Sequence, residues 1–429
     1  MLIERLVKYT LFLFPVFAVS IKHWVSSFFV ILALMGLGSL FRSRENIYPL
    51  QKEEKLFLAI VVGYFGVFLI SSIASGWGQS GTYALGLEIR YLFVIPMYLM
   101  LRNISGVERY LLAGSILAVL VGGVQALLDV YVFEVTEYYG RIHAWGAYGH
   151  LFIGPVTLLM VGLMIPAKRV LKLDNRLWPI LVAMALLGFA AVILSLARSA
   201  YLGFVVIGLI TIIYYLRWRT ATIVIAALVG MVASSYVFSD KIQHRVNDGI
   251  SEVTYYFDTL EKYPDEPVKY AAGSSLGTRL EMWRSTQYFF DEAPWFGVGR
   301  FNYQKKAQEY VDQGLANQAI ADHSHPHNAF IEMIMSKGLF GLLVLLLLMY
   351  YPLYVFIKTR NVNRDSAFAG IVLITAFTVF SLTESSTFTK NNFVSIYLVY
   401  LSVIFSWHVR EIYRLKESAV PQQLAGGVG

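Results

Sequence analysis

Apolar runs of roughly 20 residues, the length a helix needs to cross the hydrocarbon of a bilayer, recur along most of this chain and are separated by short polar connections. Read by hydropathy, they predict about twelve transmembrane helices, near residues 9–21, 24–41, 56–75, 90–101, 110–131, 150–167, 178–197, 200–216, 221–238, 339–357, 367–386 and 393–408. The fourth run is short for a span and the first is marginal. One long polar stretch, 239–338, interrupts the pattern between the ninth and tenth runs. The expected fold is an all-α integral membrane protein, with nine helices in 1–238, a helical loop in 239–338, three helices in 339–408 and a tail in 409–429 that is disordered beyond Lys416.

Composition agrees with this reading. At 57% hydrophobic and 15% charged residues, the chain is too apolar and too sparsely charged for a soluble globular protein. The absence of cysteine removes disulfides, thiolate nucleophiles and Cys-ligated metals. The first apolar run leads into the second without a small-residue cleavage site, so it is expected to be a retained anchor. A net charge of +7 points to membrane orientation rather than to nucleic acid, because basic residues fix which loops stay in the cytoplasm.

Assigning the connections alternately to two sides gathers Arg5, Lys8, Arg42, Arg44, Lys52, Lys55, Arg102, Arg109, Lys168, Arg169, Lys172, Arg176, Arg217, Arg219, Lys358, Arg360, Arg364, Arg410, Arg414 and Lys416 on one side. That side is cytoplasmic by the positive-inside rule. Both termini are then inside and the loop 239–338 is outside. Few basic residues fall in the short outer connections, but Arg90, Arg141 and Arg198 sit there close to membrane ends. Charges in such places face a cavity or partner, or snorkel to the headgroups.

Within the long loop, Asp240–Arg245 mixes acids and bases, and Tyr263–Pro267 reads as a turn. Thr278–Tyr288 looks helical with Arg279 and Trp283 one turn apart, Pro294–Gly299 reads as a glycine turn, and a second helix is expected over Tyr303–Ala319. The loop is too short for a large separate domain, so its helices are expected to cap the bundle.

The loop ends in Asp322-His323-Ser324-His325-Pro326-His327-Asn328, which holds three of the eight histidines. Pro326 permits a helix to start at about His327 or Asn328. Such a helix places His327 at the membrane boundary beside free N-terminal NH groups that favour an anion, and puts Glu332 one turn from Asn328, where it would brace the site. Three readings compete for the histidines: ligation of a metal by the alternating set, a structural role, and one imidazole acting as general base. No further His or Cys pair at ligand spacing supports the first.

Arginine suits a phosphate because its planar fork stays charged and binds bidentately. Arg198, Arg279 and Arg284, with Arg90 and Arg141 as further candidates, are placed to hold a diphosphate at the outer surface. The chain has no Walker loop and no acidic pair well placed for a metal-bound nucleotide, so the charge of a leaving diphosphate falls to arginine, with no cofactor or metal expected.

His327-Asn328 followed by Gly338 and Gly341 resembles the H-[NSQ]-x9-G-x-x-G signature of the bacterial O-antigen ligases, in the O-antigen ligase and polymerase superfamily. Arg279-x3-Trp283 with Pro294-x2-Gly297-Val298-Gly299 resembles the arginine segment upstream of it, and Ser195-x2-Arg198 with Gly203 resembles the motif at the end of a span. The resemblance implies a GT-C-type glycosyltransferase in the bacterial inner membrane that moves glycan from undecaprenyl diphosphate to a sugar hydroxyl of lipid A-core oligosaccharide, in the periplasm. It implies His327 as base and Arg198 and Arg279 as diphosphate ligands. Arg284, Arg90 and Arg141 rest on the charge argument alone, and His325 stands two residues from the matched histidine as an alternative base. Neighbouring readings are an O-antigen polymerase and a protein O-oligosaccharyltransferase. A transporter or flippase, from another class, would collect its polar residues near the membrane midplane, whereas this chain collects them at the outer edge.

Overall fold

The computed structural model describes residues 2–41, 48–135, 142–238, 240–263 and 275–425. Among the described residues every regular element is a helix. The first five are α1 (Leu2–Ser20), α2 (Trp24–Leu40), α3 (Lys52–Ala74), α4 (Gly78–Arg102) and α5 (Val107–Tyr131). Next, α6 (His150–Gly162) and α7 (Met164–Val170) meet at a bend of 42°. They are followed by α8 (Trp178–Leu194), α9 (Arg198–Tyr215), α10 (Trp218–Phe238), α11 (Asp240–Lys262), α12 (Ser275–Arg284), α13 (Thr286–Glu292) and α14 (Tyr303–Asp312). The last four are α15 (Ala329–Lys358), α16 (Arg364–Thr383), α17 (Ser386–Thr389) and α18 (Asn391–Ala425).

All twelve expected apolar runs fall on helices, and the chain is a multi-pass membrane protein. Among the described residues eight helices are long and apolar enough to cross a membrane, and a ninth span results when α6 and α7 are joined. Outside that count are α1, whose first turns carry Glu4, Arg5 and Lys8, α2 with 17 residues, and α10, which counts as a shorter apolar helix over Trp218–Gly230.

Several boundaries differ from the sequence reading, each for a physical reason. The expected short span at 90–101 is the 25-residue α4, while the span expected from 339 is the second half of α15, which starts after a break at Gly338 and is preceded by a short first half, 329–337. On α4, Glu88 interrupts the hydropathy yet faces inward, where it pairs with Lys337 at the end of that first half. The second loop helix ends at Asp312, because Gly314 adopts φ 73°, and only a short 3-10 turn, Gln318–Ile320, continues it. Asp240–Arg245 opens a 23-residue amphipathic helix, and α18 stays helical to Ala425, past the expected disorder at Lys416. Arg42, Arg44, Arg141 and residues 264–267 of the expected turn lie outside the described residues.

The bundle is built around α18, the most enclosed of the spans. Its aromatic residues Tyr397, Tyr400 and Phe405 are fully buried, and its polar ones find partners, as buried polar groups must. His408 lies 2.7 Å from both Thr359 Oγ1 and Ser366 Oγ, while Arg410 donates to the Ile104 carbonyl and to Glu108. One end of the bundle, the basic end, holds a buried knot: Glu54 accepts from Arg102 Nε at 2.9 Å, Arg102 Nη2 at 3.0 Å and the Tyr98 hydroxyl at 2.9 Å. At the other end, α12 to α14 and the following loop have their own small core, in which Met282, Phe289, Tyr303 and Ile320 pack with Met335 of α15.

Candidate functional site

The histidine end is organised by a break in α15. Gly338 sits at φ 66°, ψ −163°, which no side-chain-bearing residue adopts readily. The groups freed by the break are paired with the Pro294–Gly299 turn. Val298 NH donates to Met335 O at 2.9 Å and Gly299 NH to Ser336 O at 3.1 Å, while Leu339 NH donates to Pro294 O at 2.9 Å. The two glycine motifs are thus halves of one clasp: a Cβ on Gly338 would lie 2.3 Å from the Trp295 carbonyl carbon, and one on Gly297 would lie 2.4 Å from Lys337 N. Gly341 leaves room for the Lys337 side chain, which a Cβ there would meet at 2.2 Å.

Asn328 caps the first half of α15. Its side chain accepts from Phe330 NH and Ile331 NH, so those amides are taken rather than left for an anion as expected. Its own NH donates to Ser385 Oγ at 3.0 Å, and the Trp283 indole donates to Pro326 O at 3.0 Å. Held on both sides, His327 adopts φ 54°, a strained value for a residue with a side chain. The strain turns its imidazole toward Glu384, with Nδ1 3.7 Å from Oε2. That separation is ion-pair range and too long for a hydrogen bond. Glu384 lies in the extended break between α16 and α17 and is 3% exposed. Burial works to raise its carboxyl, but the imidazoles of His327 and His325 and the Ser386 NH outweigh it and hold it at about 2.

His325 packs edge-on against His327 with ring centroids 4.5 Å apart, and burial depresses its imidazole to about 4, so it is neutral at pH 7. His323 is tied through Nδ1 to Ala319 O at 3.0 Å. His325, His327 and Glu384 each offer a ligand atom within 4.8 Å of the others, so among the described residues they form a group that could hold a cation.

Arg279 reaches the same corner, donating to the Thr383 carbonyl at 3.3 Å, one residue before Glu384. Its proton affinity is lowered by burial and by the charge of nearby Arg198, with Glu384 opposing. Two guanidinium groups sharing a field beside one carboxylate favour an anion. Arg198 owes its place to its motif: Ser195 ends α8 by accepting from Ala197 NH, Leu196 turns at φ 54°, and Arg198 opens α9. Gly203 lets α9 approach α16, since a Cβ there would lie 2.8 Å from the Phe380 ring.

Other expected site residues are placed elsewhere. Arg284 is engaged by Glu281, at 2.9 Å through Nε and 2.8 Å through Nη2. Arg90 donates to Ser26 and Ser395 among α2, α4 and α18, where no contact joins it to His327. Arg141 lies outside the described residues. Glu332 does not brace His327; it turns into the bundle, buried near Lys337, Arg300 and Tyr303.

Sequence reasoning missed Glu384, absorbed into an apolar run, and a buried charge cluster beneath the clasp. There Glu88 accepts from Lys337 Nζ at 2.7 Å and from Arg300, which also donates to the Thr389 carbonyl. Lys337 Nζ lies 3.1 Å from the Tyr64 hydroxyl. The available signal was the rule that charges inside apolar runs face partners rather than lipid.

Comparison with known proteins finds a likeness over part of the chain. Residues 183–346, from within α8 to past the break in α15, match the model of a family described as O-antigen ligase. A protein of Haemophilus influenzae, described only as an uncharacterized protein, is 23% identical over 381 residues, which cover 85% of this chain and 88% of that one.

Proposed function

Taking the chain as a member of the O-antigen ligase and polymerase superfamily through residues 183–346, we propose that it is an O-antigen ligase. In this reading it transfers glycan from undecaprenyl diphosphate to a sugar hydroxyl of lipid A-core oligosaccharide, with inversion and without a metal. The observation that carries it is the meeting at one corner of His327 and Glu384, 3.7 Å apart, with Arg279 bonded to the Thr383 carbonyl beside them.

Glu384 faces Nδ1 of His327, which leaves Nε2 to take the proton of the acceptor hydroxyl as that oxygen attacks the anomeric carbon. The bond from the anomeric carbon to the diphosphate breaks, its electron pair leaves with the lipid diphosphate, and Arg279 and Arg198 neutralise the charge. Glu384 stabilises the imidazolium that results, as a buried carboxylate does beside any catalytic histidine. His325, neutral and edge-on, packs the ring in place.

The same reading orients the chain in the bacterial inner membrane with the basic end and both termini cytoplasmic and the histidine end periplasmic. Residues 239–338 then form a periplasmic helical cap bearing the motif, between nine helices in 1–238 and three in 339–408, with 409–429 as a cytoplasmic tail.

A second reading rests on the His325, His327 and Glu384 grouping: a cation there would polarise the acceptor hydroxyl. The arginine pair favours the first, because it already supplies the positive charge a cation would bring to the diphosphate. Transfer by purified protein in excess chelator separates the two. Offering lipid A-core and a second lipid-linked repeat together separates ligase from polymerase: a ligase labels lipid A-core, and a polymerase lengthens the donor.

A further inference from the structure

We infer that the apolar cavity between α6, α8 and α9 seats the tail of the polyprenyl donor and selects donors by chain length. The inference rests on the reading that a lipid diphosphate is held at Arg198 and Arg279. The cavity has a volume of about 370 Å³ and is walled by Leu181, Phe189, Phe204, Ile207, Gly208 and Leu228 among others. Its one hydroxyl, on Thr211, is turned away to the Ile207 carbonyl at 2.7 Å. Apart from the Trp178 indole the rest of its wall is apolar, so the occupant that fits it is a hydrocarbon chain.

Helix α9 joins this cavity to the arginines. Arg198 is its first residue; at a rise of 1.5 Å per residue, Phe204 lies about 9 Å further along and Ile212 about 21 Å. On the way, exposed Tyr201, Leu202 and Val205 give a continuous apolar surface for a chain leaving the arginines. One leaflet of the hydrocarbon is about 15 Å deep. The far part of the cavity therefore lies beyond the reach of an ordinary acyl chain headed at the histidine end, and within reach of a long polyprenyl chain. The surrounding hydrocarbon is as apolar as the cavity, so selection comes from packing rather than from leaving water.

Gly208 provides the test, because a Cβ there meets nothing within 4 Å and points into open space. Gly208→Phe therefore introduces a ring into the cavity from a position where a Cβ is accommodated. Gly63→Phe on α3, where a Cβ also meets nothing within 4 Å, is the control outside the cavity. The probe is an undecaprenyl diphosphate carrying a diazirine at its tail, photolysed with purified protein in lipid nanodiscs, with crosslinks mapped by mass spectrometry. Crosslinks are expected on residues 185–212, reduced about fivefold or more by Gly208→Phe, a loss on the scale of packing contacts, and not by Gly63→Phe. A tail-diazirine phosphatidylglycerol is expected to label these residues weakly and equally in both variants. Equal labelling by the two probes, or labelling by the polyprenyl probe that ignores Gly208→Phe, overturns the inference.

Transfer rates separate this failure from failure of the functional reading. Wild type is expected to prefer an undecaprenyl over a geranyl donor, and Gly208→Phe to bring their ratio of kcat/KM toward one. Transfer without crosslinking in the cavity defeats the tail site alone. Crosslinking without transfer from any donor defeats the glycosyltransferase reading and leaves a site for a long-chain lipid diphosphate.

Discussion

Helix α4 contributes to two buried carboxylate–cation clusters, through Arg102 at its last residue and Glu88 near its middle, and the two differ in how completely they are satisfied. At the basic end both oxygens of Glu54 are engaged, by Arg102, Tyr98, Tyr48 and the Gln51 NH, and Arg102 also donates to the Tyr48 and Pro49 carbonyls. At the histidine end, Glu88 Oε2, Arg300 Nε, Glu332 Oε2, His325 Nδ1 and His327 Nδ1 are buried among the described residues with no hydrogen bond. Buried charge is tolerated in a fold when every polar atom is paired, and each one left over is costly. The saturated cluster is therefore a structural pin. In the proposed reading, the unsaturated one supplies the polar groups that meet the substrates.

Substitutions break this comparison in order of expected size. His327→Ala should lower kcat by about 10² to 10⁴ while the thermal midpoint of the purified protein stays near wild type; a matching fall in midpoint would return His327 to the structural class. Arg102→Met should do the opposite, costing about 3–5 kcal/mol through the stranded Glu54 carboxylate. It is read as lost folded protein in membranes, with transfer per folded molecule retained.

Glu384→Gln tests the link between the regions. It keeps the shape but loses the charge facing His327, and should lower kcat by about 10-fold to 100-fold with little change in donor KM. An unchanged kcat would remove Glu384 from the site. Arg279→Ala should raise donor KM by about tenfold, with Arg279→Lys recovering part of it; equal loss in both would show that the fork geometry matters more than charge.

The smallest effect is on stability against pH. His325 protonates near 4 when folded, below the ordinary imidazole value, so the unfolded chain binds more protons between about 6.5 and 4. Its contribution is complete above that window and is lost as pH falls through it. Glu384, held at about 2, loses its contribution only below the usual carboxylate range. His325→Phe should flatten the fall in thermal midpoint between pH 6.5 and 4 and leave the fall below it.

Hydropathy made the helices legible and misplaced the start of α4, where Glu88 faces inward. Reading Glu88 as an interruption shortened α4, although Lys337 cancels its charge 2.7 Å away, whereas the expected start at 339 matches the break at Gly338. The motif residues His327, Arg198 and Arg279 could be picked out because each sits in a local pattern. Glu384 could not, because its partner is 57 positions away and its neighbours in Thr383-Glu384-Ser385-Ser386 have no pattern of their own. The clasp shows the same limit: Pro294–Gly299 and Gly338 are each visible as turn signals, but only the fold shows that one satisfies the backbone the other breaks.

The most direct test of the account is single-turnover transfer by purified protein from undecaprenyl-diphosphate-linked glycan to lipid A-core oligosaccharide, in excess chelator, comparing wild type with His327→Ala. The account predicts labelled lipid A-core from wild type and its loss in a His327→Ala protein that melts as wild type does. Wild-type rates from His327→Ala, or transfer that returns only when a divalent cation is added back, would contradict it.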